Sequence, residues 1–309
     1  MKYGRKPSGE KLKGQEFKDI AADIAKVAGF GSDLAQTPVP PKIVPPNPTE
    51  SFKKPERKIN IPLAKNPDPR IAALEHLSDE FVYDVTAMNA RATTYLTKRP
   101  YMTSDVMKQW GVGHLPSNSK SMLRSRLVYT LRNERSEKIG YVGRDLAFED
   151  KLRKWENSDR TGKAPIKAKF PPGFARGSFL YGAEVSRLAN ERTQEQLKDT
   201  GILVVEGMND VIALDSHGIT AVALCSNRIA EGQIEKLVRW SKELANGRIT
   251  LMLDNDKEGF DGTRETIRKL SPYAFVRSVW EPGSVGGTLK AMQPEQLDLP
   301  DILELLKVR

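Results

Sequence analysis

Between residues 201 and 280, short apolar runs alternate with amphipathic stretches. Residues 202–205, 219–225 and 249–253 are almost wholly apolar, and 273–280 reads as a fourth strand. Between them, 210–216, 231–245 and 258–270 carry helical patterns. In 231–245, Ile234, Leu237, Val238, Ser241 and Leu244 share one face. Strands that are apolar on both faces and alternate with helices predict a parallel, doubly wound α/β sheet.

The preceding pattern is less regular. Residues 15–28 have apolar Phe17, Ile20, Ala21, Ile24, Val27 and Ala28 at helical spacing, with Gly29 as a C-terminal cap. From 37 to 69, 10 of 33 residues are proline, a composition that favours a semi-rigid polyproline tether. Helical signals follow at 70–76 and 85–98. Thr103-Ser104-Asp105 opens another helix that ends near Gly111. Residues 126–131 alternate as a strand, and 139–144 read as its return. The predicted organisation is an N-terminal helical segment (1–36), a Pro-rich linker (37–70), an α+β region (71–200), the α/β sheet (201–283) and a helical tail (284–309).

Charge separates the two folded regions. The chain carries +9, but residues 91–200 hold 22 Lys+Arg against 12 Asp+Glu, while 201–283 hold 10 against 12. A localised basic region fits a polyanionic partner or a solvated basic face. Residues 150–178 hold eight Lys and Arg, interleaved with Trp155, Phe170 and Phe174. Trp155 could stack on a base, but a core tryptophan is the expected reading. The single cysteine, Cys225, excludes an internal disulfide framework and a four-cysteine zinc ribbon. It is expected as a small buried apolar residue. No run approaches the ~18 apolar residues of a membrane span. The N-terminus lacks a signal peptide's apolar core, so the expected location is cytoplasmic.

In an open parallel sheet, ligands bind outside the carboxyl ends of the strands. Glu206-Gly207-Met208-Asn209-Asp210 follows the first apolar run, and Asp254-Asn255-Asp256-Lys257-Glu258-Gly259 follows the third. In an extended loop Asp254 and Asp256 can face the same way. Three acids at one sheet edge repel unless a cation sits among them. Oxygen ligands without His or Cys select Mg²⁺ or Mn²⁺, which serve phosphoryl or nucleotidyl transfer. Asp210 is either a carboxylate supporting these three or the cap of the next helix.

At these residues the chain resembles a TOPRIM domain, shared by primases, topoisomerases and some nucleases. The resemblance implies metal binding by Asp254 and Asp256, with Glu206 as ligand or general base. Further motifs lie upstream: Tyr95-Leu96-Thr97-Lys98-Arg99, Gly111-Val112-Gly113, Arg126-Leu127, Gly140-Tyr141-Val142-Gly143-Arg144, Lys154-Trp155-Glu156-Asn157-Ser158 and Gly177-Ser178-Phe179-Leu180-Tyr181-Gly182. In this order they resemble the catalytic core of bacterial-type (DnaG-type) DNA primases over about residues 86–283. The resemblance implies a basic α+β subdomain before the TOPRIM sheet that grips single-stranded DNA template and nucleoside triphosphates (NTPs). Arg126, Arg144, Lys154, Asn157 and Arg176 are its candidate contacts, with surface salt bridges as the competing role for the charged ones.

Two departures stand out. Where the family carries a further aspartate pair, this chain has Glu281-Pro282-Gly283-Ser284-Val285-Gly286-Gly287-Thr288-Leu289, with Glu281 as a candidate substitute. After the second strand, the family's Gly-Thr is replaced by Cys225-Ser226-Asn227. The first helix resembles the end of a zinc-binding domain without its cysteines. No zinc is therefore expected within this chain, and a zinc-binding domain or replicative helicase on another chain is a candidate partner. The expected activity is RNA primer synthesis on single-stranded DNA. The alternatives are a TOPRIM nuclease and a catalytically inactive single-stranded-DNA-binding module.

Overall fold

The computed structural model describes residues 76–158, 160–280 and 293–307. The expected helix at 15–28, all of the one at 70–76 except His76, the Pro-rich linker and the stretch 281–289 lie outside the described residues.

The stretch 85–98, expected as one helix, is two pieces: a 3-10 turn Val85–Ala87, then α1, Ala90–Thr97. Asn89 divides them because its side chain accepts a hydrogen bond from the Ala92 amide and caps α1. Helix α2, Ser104–Trp110, begins at the expected Thr103 cap and ends at Gly111, whose φ of 63° is the left-handed C-terminal cap. A Cβ there would meet Thr130 Oγ1 at 2.6 Å.

Strands β1 (Val112–His114), β2 (Leu127–Arg132), β3 (Lys138–Arg144) and β4 (Ala168–Lys169) form an antiparallel sheet in that order. The expected hairpin is β2–β3, with Tyr129 opposite Val142. Between β3 and β4 stands α3, Phe148–Glu156, with no buried residue. Trp155 is thus half-buried on a solvated helix rather than in the core, and its indole N–H reaches only the Gly162 carbonyl at 3.4 Å. Helices α4 (Val185–Leu188) and α5 (Glu191–Thr200) lead into the second sheet.

That sheet is parallel, in the order β6 (Val222–Ala223), β5 (Ile202–Val205), β7 (Arg248–Leu251), β8 (Phe275–Ser278). Its connecting helices are α6 (Met208–Ser216), α7 (Glu231–Leu244) and α8 (Lys257–Leu270). The apolar run 219–225 pairs over only two residues before the chain turns at Cys225, φ 56°. Successive residues of β5 enter different cores. Ile202 and Val204 join Leu237, Trp240 and Leu270 in one; Leu203 and Val205 join Val211 and Ile212 in the other. Both faces are covered, which explains the unbroken apolar strands. The second core also contains Leu127, Tyr129, Leu131 and Val142 of the antiparallel sheet, so packing is continuous between the sheets. The tail contributes α9, Leu299–Leu306, whose Ile302 and Leu306 enter this same core. No helix among the described residues is long and apolar enough to cross a membrane.

Candidate active site

Strands β5 and β7 are neighbours, with Val204 beside Leu251. From β5 the chain crosses to β6 on one side, and from β7 to β8 on the other. Ligands bind at such a divergence of connections, and Glu206 and Asp254 follow these two strands. The Asp254 amide donates to Glu206 Oε1 at 3.2 Å. The first turn of α8 presses against this pair. A Cβ on Gly259 would lie 2.2 Å from the Asp254 carbonyl oxygen and 2.8 Å from Glu206 Oε1. Glycine is therefore required there for close approach rather than for an unusual φ.

Burial, then the charges of Asp254 and Asp256, push the Glu206 carboxyl up to about 7, against the opposing pull of the Asp254 amide and Lys167. Asp254 is also raised, first by burial and then by Asp256 and Glu295, although Gln293 donates to its Oδ2 at 3.0 Å. Asp254 Oδ1 is buried with no hydrogen-bond partner among the described residues.

Asp256 accepts from the Gly259 amide at 2.8 Å and caps α8. Asp210 closes α6 by accepting from the Gly207 amide at 2.9 Å, and its other oxygen accepts from the Glu295 amide at 3.1 Å. Asp210 also lines the cleft, where burial holds its carboxyl well above the usual carboxylate range. Glu295 is locked in turn by Arg99 at 2.5 Å and by the Tyr101 hydroxyl. Asn209 bridges two tyrosines: it accepts from Tyr129 and donates to Tyr95, both at 2.7 Å.

A cleft of about 230 Å³ gathers Glu206, Asp210, Asp254, Arg144 and Lys167. Arg144, at the end of β3, lines the cleft from the antiparallel sheet; its Nε is buried without a partner among the described residues. The other sequence-selected residues lie elsewhere. Arg126 crosses β3 over Gly143, where a Cβ would meet its Cδ at 2.8 Å, and pairs with Asp145 at 3.4 Å. Lys154 and Asn157 stand exposed on and just after α3. Arg176 reaches the Cys225 carbonyl at 3.1 Å and lies over the Phe170 ring. Cys225, expected to be buried, is half-buried and lines the cleft; desolvation pushes its thiol up to about 12.

Sequence reasoning missed Lys167, Asn209, Gln293 and Glu295. Lys167 stood within the basic stretch and Asn209 within the Glu-Gly-x-x-Asp motif. Gln293 and Glu295 carried no local signal.

Among the described residues, no group of three His, Cys, Asp or Glu stands ready to hold a metal ion. The pair Glu206 and Asp254 nonetheless fits one. Both carboxyls are pushed up by burial and by neighbouring acids, and Asp254 Oδ1 has no partner. A hard divalent cation satisfies both conditions.

Residues 201–278 match the Toprim domain family. The chain is 26% identical over 194 residues to a DNA primase of Synechococcus elongatus, covering 62% of this chain and 25% of that protein. It is 35% identical over 150 residues to a DNA primase of Pseudomonas aeruginosa, covering 48% and 19%. This chain thus spans a quarter or less of the length of these two curated relatives. The crystal structure of the Aquifex aeolicus primase, comprising zinc-binding and RNA polymerase domains, superposes with a TM-score of 0.56 at 17% identity, covering 94% of this chain and 66% of that one. The chain carries a Toprim domain set within the fold of a DnaG-type primase catalytic core.

Proposed function

We propose that this chain is the catalytic core of a DNA primase that joins NTPs into short RNA primers on single-stranded DNA. The observation that carries the reading is one cleft lined by Glu206, Asp254, Arg144 and Lys167, with Lys167 near enough to lower both carboxyls. Acids that gather a cation beside cations that grip phosphate are what nucleotidyl transfer needs.

Asp254, with its orphaned oxygen, and Glu206 would hold Mg²⁺ or Mn²⁺. When bound, such an ion supplies charge neutralisation at phosphate and a lowered pKa for the attacking hydroxyl. Glu206, poised near neutrality, shares the ion or accepts the proton of the 3′-hydroxyl. Asp210 holds the turn after Glu206 by accepting from the Gly207 amide. Arg144 and Lys167 orient the triphosphate. Asp256 acts through its charge and its cap on α8. Lys154, Asn157 and Arg176, outside the cleft, are proposed for the template path. Arg126 is committed to Asp145 and is proposed to shape that path rather than to clamp phosphate. A zinc-binding domain or helicase on another chain is the proposed partner. A zinc-binding domain does accompany the polymerase domain in the Aquifex aeolicus structure.

The test is primer synthesis on single-stranded DNA with labelled NTPs and Mn²⁺, comparing the wild type with Asp254→Ala. Short labelled oligonucleotides from the wild type alone are expected. DNA cleavage without nucleotides would instead assign a nuclease. DNA binding with neither activity, even after a zinc-binding domain is added, would assign a binding module.

A further inference from the structure

Tyr95 lies in α1, and Arg99 follows about one helical turn later. Arg99 therefore folds back over the Tyr95 ring, with its guanidinium carbon 3.8 Å from the ring centre. A second guanidinium, that of Arg144 at the end of β3, lies 5.2 Å from the same ring centre. Both distances fall within the ~6 Å over which a ring face attracts a cation.

The ring is held from several sides. Its hydroxyl accepts from Asn209 at 2.7 Å, and Asn209 accepts in turn from the buried Tyr129 hydroxyl at 2.7 Å. The Arg99 guanidinium that covers it is gripped by both carboxylate oxygens of Glu295, at 2.9 and 2.5 Å. Its apolar atoms pack against the core shared by the two sheets.

Arg144 lacks a comparable grip. It lines the acidic cleft, and among the described residues its Nε has no acceptor. No salt bridge among the described residues includes it. Fixing an arginine costs much rotamer freedom, which some contact must offset. A carboxylate would offset it but would cancel the charge. An aromatic face attracts the cation and offers no counter-charge, so it orients the guanidinium and leaves it positive.

We propose that Tyr95 is a positioning residue for the cleft: its locked ring holds the Arg144 guanidinium in place for the triphosphate. The use made of Arg144 rests on the nucleotidyl-transfer reading; the hold of Tyr95 on Arg144 does not.

Two measurements on the full chain separate these statements. The first needs no activity. In proton–nitrogen correlation spectra the Arg144 Nε–H, assigned by its loss in Arg144→Lys, should lie away from the free-arginine position because of the Tyr95 ring current. Tyr95→Leu should return it toward that position. Tyr95→Phe, which keeps the ring and releases Asn209, should leave it near the wild-type position. The second measurement is primer synthesis at varied NTP concentration. Tyr95→Leu should raise KM about fivefold with kcat kept within about twofold, and Tyr95→Phe should stay within about twofold of wild type in both.

A wild-type Arg144 signal at the free-arginine position would overturn the proposal. So would a signal that Tyr95→Leu leaves in place, with wild-type circular dichroism. An unchanged KM in a Tyr95→Leu chain that still makes primers, or equal KM rises in Tyr95→Leu and Tyr95→Phe, would do the same. A wild type that makes no primer would reject the primase reading instead, and the spectra alone would then decide whether Tyr95 holds Arg144.

Discussion

The backbone amide of Asp254 donates to the Glu206 carboxylate across the ends of two neighbouring parallel strands, at 3.2 Å. One acid is thereby oriented by the backbone of the other. Both stay close together although burial and mutual repulsion oppose their ionisation.

This relationship sets a pH dependence. Glu206 is raised from 4.5 to about 7 in the folded chain. A raised carboxyl stabilises the metal-free fold below about 4.5, and that contribution is lost as pH rises through about 7. A cation must displace the same proton. Mn²⁺ affinity should therefore fall as pH drops below about 7, and Glu206→Gln should flatten that dependence. Titration calorimetry at pH 6, 7 and 8 reads both effects.

Gly259→Ala should disable the site without removing any polar group. The added methyl would overlap the Asp254 carbonyl oxygen and crowd Glu206. Overpacking of this kind costs about 1–3 kcal/mol. Urea denaturation should show that loss, and primer synthesis should fall further than stability alone explains.

Arg99 and Glu295 join α1 to the segment that feeds Asp254 and Asp210. Their side chains are 13% and 6% exposed. Removing one partner of a buried pair costs about 3–5 kcal/mol. Arg99→Ala should therefore destabilise the chain by about that much, measured by denaturant midpoint, and should lower activity through the displaced Gln293.

Arg126 and Lys151 stabilise Asp145. Burial pushes that carboxyl up, but the Lys151 ammonium, the Ala147 amide and Arg126 together pull it below its ordinary 3.8. A depressed carboxyl contributes stability above its unfolded value, and the contribution is lost as pH falls through the lower folded value. Asp145→Asn should be destabilised at pH 7, and its deficit against wild type should shrink as pH falls below 3.8, read by thermal melting across that range.

Lys167 faces Glu206 and Asp254 from beside β4 and lowers both carboxyls. Lys167→Ala should raise the KM for NTPs and shift the lower limb of the pH–rate profile upward. An unchanged KM would remove Lys167 from the triphosphate site.

The parallel sheet was legible because its strands are apolar on both faces and its helices show a clear period. Strands β5 and β7 lie where their patterns place them, and Thr103 and Gly111 bracket α2 as expected. Glu206 and Asp254 were legible because each directly follows a strand. What the sequence concealed depends on tertiary placement. Asn89 split a continuous helical pattern by a capping bond. Helix α3 buries no residue, so Trp155 sits half-buried on it rather than in the core where a tryptophan is expected. Glu295 sits 85 residues from Asp210, and only folding brings its amide there. Arg126 and Arg144 look alike along the chain, yet one meets Asp145 and the other the cleft.

The core shared by both sheets bears on how this protein can be dissected. Leu203 and Val205 lie in the same apolar cluster as Tyr129 and Val142. A fragment containing only the matched Toprim residues would lose those partners and present a greasy face to water. It should precipitate or self-associate when expressed alone. Here the Toprim segment is not a transplantable cassette: the seam by which sequence families divide the chain is not a seam along which it can be cut.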